Sequence, residues 1–157
     1  MNTINTGRRQ ALKTSGSFAV VAAAISAGVL PASAFADWNK AAFDAKSLND
    51  VVKALGGASV EKSGDIAITA PDIAENGAVV PIAVASKIAG TQSIAILVEK
   101  NPYALSAQFD IPAGTEANVG TRVKMGQSSN VHAVVQANGK YYVATKEVKV
   151  TLGGCGG

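Results

Sequence analysis

Cys155 is the only cysteine of a 157-residue chain, and it stands in Gly153-Gly154-Cys155-Gly156-Gly157. A thiol serves as a nucleophile, a metal ligand or a disulfide partner, and its neighbours decide which. No Lys, Arg or His lies within five residues of it. Nothing local favours the thiolate, whereas a catalytic cysteine normally has an activating base beside it. Cys155 therefore reads as an attachment point that other proteins act upon. Its glycines bury no side chain and leave the backbone its full freedom. The segment reads as a thin, flexible arm. Five extended residues reach at most about 17 Å, enough to carry a sulfur into a cleft that excludes a folded domain.

Other chemistries fail on residue count. A blue-copper site needs two His and one Cys with a weak axial ligand. His132 is the single histidine, and Met125 is the only methionine apart from Met1. His132 stands in Val131-His132-Ala133-Val134-Val135, on the face opposite Val131 and Ala133, which makes it a strand-surface residue. A Ser/His/Asp triad has no support from one histidine so placed. A prenylation box needs three residues after its cysteine, and two follow Cys155. No metal, resident cofactor or catalytic residue is expected.

Residues 1–36 read as an export signal rather than as part of the fold. Arg8, Arg9 and Lys13 precede an apolar run from Phe18 to Leu30, which Pro31 ends. Ala34-Phe35-Ala36 supplies the small residues of a cleavage site. The run falls short of the roughly 20 residues that span a bilayer, so a membrane anchor is the poorer reading. The Arg8-Arg9 pair, with Leu12 and Lys13 after it, resembles the twin-arginine signal that exports folded cargo. Those three cations also account for the formal charge of +3. The remainder carries as many acidic as basic residues, with Arg122 its only arginine, so a basic nucleic-acid footprint is absent. An exported thiol meets an oxidising compartment, where an odd cysteine is buried, paired between molecules or functional.

The arm needs a mount, and the chain before it supplies one domain, residues 37–152, with the arm as 153–157. Residues 38–55 carry apolar positions at helical spacing. Ser47-x-x-Asp50 marks a possible second helix start inside that segment, and Gly56-Gly57 supplies a left-handed stop. The period then changes to two. Residues 65–70, 78–86, 92–100, 105–110, 119–125, 130–136 and 141–152 read as strands rich in Val, Ile, Thr and Tyr. Turns at Pro71-Asp72, Glu75-Asn76-Gly77, Ala89-Gly90, Asn101-Pro102, Pro112-Ala113-Gly114, residues 126–129 and Asn138-Gly139 separate them. Asn-Gly is the strongest hairpin signal among these. The expected fold is mainly β: an immunoglobulin-like antiparallel sandwich with an N-terminal helical segment and the C-terminal arm. The apolar stretches 78–85 and 93–98 would form core or cover a partner.

The ending Glu147-Val148-Lys149-Val150-Thr151-Leu152-Gly153-Gly154-Cys155-Gly156-Gly157 resembles the C-terminus of the SoxY family, the sulfur-carrying subunits of the bacterial sulfur-oxidation (Sox) system. Leu55-Gly56-Gly57, residues 75–81 (Glu75-Asn76-Gly77 onward), Lys100-Asn101-Pro102 and residues 121–126 (Thr121 to Gly126) extend the resemblance, and the twin-arginine leader fits it. The resemblance implies a periplasmic protein paired with SoxZ as a heterodimer. It implies that the c-type cytochrome complex SoxAX joins thiosulfate oxidatively to Cys155, that the hydrolase SoxB releases sulfate, and that the sulfane dehydrogenase SoxCD oxidises the sulfur left behind. The carrier itself would catalyse none of these steps, and would hold only sulfur species bound covalently to Cys155. Two other readings start from the same tail. One is an exported sandwich module whose cysteine makes a structural disulfide to a partner. The other is a ubiquitin-like sulfur carrier ending in Gly-Gly, against which stand the leader and a strand order unlike a β-grasp.

Overall fold

The computed structural model describes residues 38–151. The segment read as an export signal and the segment read as an arm, including Arg8, Arg9, Gly153, Gly154, Cys155, Gly156 and Gly157, lie outside the described residues.

The segment expected to be helical forms two short helices, α1 (Lys40–Asp44) and α2 (Leu48–Ala54). The break is chemical. Asn39 caps α1 by accepting from the Ala42 amide. Ser47 caps α2 by accepting from the Asp50 amide, while its hydroxyl donates to the Asp50 carboxylate at 2.6 Å. Gly56, at φ 94°, takes the left-handed conformation that ends α2. Helices this short are not stable alone, so tertiary bonds must hold them. Asn39 Nδ2 donates to the Ala54 carbonyl at 2.8 Å, and the Ala104 amide donates to the Ala45 carbonyl at 3.0 Å.

Nine strands follow: β1 (Glu61–Lys62), β2 (Ile66–Thr69), β3 (Ile73–Ala74), β4 (Val80–Ser86), β5 (Thr91–Val98), β6 (Leu105–Asp110), β7 (Asn118–Val123), β8 (Ser129–Ala137) and β9 (Lys140–Val150). The larger sheet runs β1-β9-β8-β5-β6, with β3 also on β9; the smaller runs β2-β4-β7. Packed face to face, they make the immunoglobulin-like β-sandwich expected from the strand pattern. Ile66, Val80, Ile82, Val84 and Val123 of the small sheet meet Ile94, Ile96, Val98, Val131, Ala133 and Val135 of the large one. The helices cover the other face of the large sheet, where Val51 and Val52 pack on Ala95, Leu97, Val134, Tyr141 and Val143.

This third layer explains residues 93–98. Every residue from Ser93 to Val98 is buried, because both faces of β5 are covered. Residues 78–85 divide instead: Val80, Ile82 and Val84 enter the core, while Pro81 faces solvent. Asn138 (φ 52°) and Gly139 (φ 75°) form the tight turn that joins β8 to β9, as the Asn-Gly pair requires.

Two strands correct the seven-strand expectation. β1 and β3 have two residues each and pair parallel with the same edge of β9, so the sheet is not wholly antiparallel. β3 begins directly after Pro71-Asp72, which the sequence marks only as a turn.

Candidate functional site

The strand that would carry the arm is β9, and its two ends are held differently. At its start, Tyr141 is buried against the helix layer and its hydroxyl donates to the Leu55 carbonyl at 2.5 Å. Burial pushes the Tyr141 pKa up, which keeps the phenol protonated as a donor. Gly57 lies so close that an added Cβ would stand 2.6 Å from Val52 Cγ1 and 2.7 Å from Tyr141 Cδ2.

The end of β9 enters the core through Val148, with Val150 packed against it, and is tied in addition by polar contacts. On one edge, the Lys149 amide donates to the Asp72 carbonyl at 2.9 Å and the Thr151 amide to the Ala74 carbonyl at 3.1 Å. Lys146 secures that edge, donating to the Ala70 carbonyl at 2.6 Å and pairing with the Asp72 carboxylate at 3.0 Å. On the other edge, the backbone ladder with β8 stops at Ser129 opposite Val148. Beyond it, the Ser128 hydroxyl accepts from the Val150 amide at 2.9 Å and lies 3.5 Å from the Val150 carbonyl. Gly77 closes the floor: a Cβ there would strike the Met125 carbonyl oxygen and stand 2.8 Å from Val150 Cγ1.

Three of the four internal motifs quoted for the resemblance link up here. The Met125 amide donates to the Gly77 carbonyl at 2.7 Å, and Asn101 Nδ2 donates to the Lys124 carbonyl at 2.8 Å. Leu55-Gly56-Gly57 lies instead beside Tyr141 at the start of β9. Sequence reasoning missed Ser128 and β3. The only local signal was the polar turn at residues 126–129, and the partner of Ser128 is 22 residues away.

His132 occupies the face opposite Val131 and Ala133, as its strand position implies, but its side chain is largely covered rather than exposed. Its Nδ1 lies 2.8 Å from Thr145 Oγ1 and its Nε2 3.6 Å from the Glu99 carboxylate. Burial lowers its pKa, and Glu99 partly opposes that. Asn130 Nδ2 also donates to Glu99 at 2.8 Å, so the group satisfies itself. Among the described residues there is no cluster of three metal-ligating side chains, and no helix is long and apolar enough to cross a membrane. No buried side-chain polar atom among them lacks a hydrogen-bond partner.

A family model described as sulfur oxidation protein SoxY matches residues 51–155, a span that includes Cys155. A solved structure of the sulfur carrier protein SoxY from Chlorobium limicola f thiosulfatophilum is 39% identical, with a TM-score of 0.61 over 66% of this chain and 94% of that one. A chain from a structure of T cell activation by the bacterial superantigen toxic shock syndrome toxin-1 matches at 12% identity and a TM-score of 0.39, over 55% of this chain and 99% of that one. No curated protein matches.

Proposed function

The chain belongs to the SoxY family, and from that membership we propose that it is a covalent sulfur carrier whose working group is the Cys155 thiol. The observation that carries this reading is the family match through residue 155, with Cys155 the only cysteine in the sequence. The related Chlorobium protein is itself described as a sulfur carrier. Residues 1–36 are the twin-arginine signal, residues 37–152 the carrier domain, and Gly153, Gly154, Gly156 and Gly157 the arm on which Cys155 travels in the periplasm. SoxZ is the heterodimer partner.

The chemistry needs only a thiol from this chain. The cysteine sulfur and the outer sulfur of thiosulfate form an S–S bond, releasing one proton and two electrons, which the cytochrome SoxAX accepts. Water then attacks the terminal sulfone in SoxB. The bond between the two thiosulfate-derived sulfurs breaks, sulfate leaves, and Cys155 keeps one extra sulfur as a persulfide. SoxCD, where present, oxidises that sulfur further. Each catalytic group belongs to a partner, so the chain is a carrier and not an enzyme.

Cys155→Ser in the mature chain with SoxZ tests the reading. Loss of thiosulfate-dependent cytochrome reduction is expected. A Cys155→Ser chain that still supports thiosulfate oxidation would refute the proposal. A stoichiometric, permanent crosslink to a partner on a non-reducing gel would favour a structural disulfide instead. Replacing Arg8-Arg9 by Lys-Lys should abolish export, and undiminished export would remove the twin-arginine assignment.

A further inference from the structure

We propose that Ser128 is a positioning residue: its hydroxyl, working with β3 on the opposite edge, clamps the end of β9 and fixes the point from which Cys155 is presented. This rests on the carrier reading above. Its structural half stands on the described residues alone.

A β-strand normally ends where its neighbours end, and its last amides turn to water. Here the β8 ladder ends at Ser129 opposite Val148, yet β9 continues to Val150. The Ser128 side chain supplies the missing rung, accepting from the Val150 amide at 2.9 Å. Its neighbour Ser129 faces the other way, accepting from the Lys100 amide at 3.0 Å, so the pair ties two segments to the start of β8. On the opposite edge, β3 holds Lys149 and Thr151 through the Asp72 and Ala74 carbonyls. Val150 is thus bracketed by a side chain on one edge and by backbone on the other, with Gly77 beneath it. β3 places only Ala74 in the core, but it holds the last described residues of the chain.

The consequence is a matter of tether length. Once a tether exceeds the span it must bridge, the local concentration of the group it carries falls roughly as the −3/2 power of its free length. On the carrier reading, in which the chain after Thr151 is a free arm already long enough for its task, releasing Val150 and Thr151 would lengthen it by two residues and weaken delivery of Cys155 without touching its chemistry.

Ser128→Ala removes the rung, and Ser128→Thr keeps the hydroxyl. Hydrogen exchange in the wild-type chain should show protected amides at Val150 and Thr151. In Ser128→Ala these amides should exchange about fivefold faster, as expected for loss of one ordinary hydrogen bond. Amides of β5 should not change. With SoxAX and thiosulfate, the KM for the carrier should rise, by at most about twofold, at unchanged kcat. Ser128→Thr should restore both values. Modification of Cys155 by a small disulfide reagent should be equal in all three proteins. Unprotected Val150 and Thr151 amides in the wild type would overturn the proposal. So would unchanged exchange in Ser128→Ala, or faster exchange with an unchanged KM. A wild-type chain that receives no sulfur on Cys155 would instead defeat the carrier reading, and the presenting role with it.

Discussion

The two ends of β9 serve different purposes although one continuous strand joins them. The start is embedded in apolar material, where Tyr141 and Val143 pack under Val51 and Val52 and one buried hydroxyl reaches Leu55. The end also reaches the core through Val148 and Val150, but it carries in addition a set of polar ties: backbone amides, a serine hydroxyl and a lysine. Apolar burial contributes most of the stability of a fold, while polar ties at a surface contribute geometry. On the proposed reading, the first end anchors the strand and the second sets where the arm leaves it.

The largest expected effect is at the start. Tyr141→Ala removes a buried aromatic between helix and sheet, and should cost about 3–5 kcal/mol in denaturant unfolding. Tyr141→Phe, which removes only the hydroxyl, should cost about 1–3 kcal/mol. Folded molecules of either variant should still pass sulfur at the wild-type rate. A transfer defect in the folded fraction would break the distinction between the ends.

Gly77→Ala should cost about 1–3 kcal/mol through overpacking against a carbonyl that cannot rotate aside, less than Tyr141→Ala because no buried side chain is lost. It should also displace Val150, and so accelerate exchange at Val150 and Thr151. Normal exchange there would show that Gly77 supports the core only.

The smallest effect lies between the ends, at His132 opposite Thr145. Burial holds its folded pKa below the ordinary 6.5, so the unfolded chain takes the proton more readily. Stability should therefore fall as pH drops through about 6.5, and level off below the folded pKa. His132→Gln should flatten that slope in pH-dependent unfolding. An unchanged slope would show that His132 does not report on the middle of the strand.

Much of this arrangement was legible in the sequence. The bounds of β6 matched those expected, Asn138-Gly139 gave the hairpin, and Ser47 divided the helices. The unbroken apolar run ending at Val98 reflects a strand covered on both faces, whereas the alternation from Val80 to Val84 reflects one covered face. β1 and β3 were not legible, since two residues carry no period and their pairing depends on where β9 lies. Cys155 could be singled out because a lone thiol among glycines is a local signal. The clamp could not, because Ser128, Gly77 and Ala74 meet Val150 and Thr151 only through the fold.

The central claim concerns one sulfur atom. Intact-mass spectrometry of the mature chain with SoxZ, after incubation with thiosulfate and SoxAX, tests it most directly. The account predicts one thiosulfate-derived adduct, mapped to Cys155 and removed by a thiol reductant. An unmodified mass, under conditions where the same SoxAX reduces cytochrome with another SoxY, would contradict it.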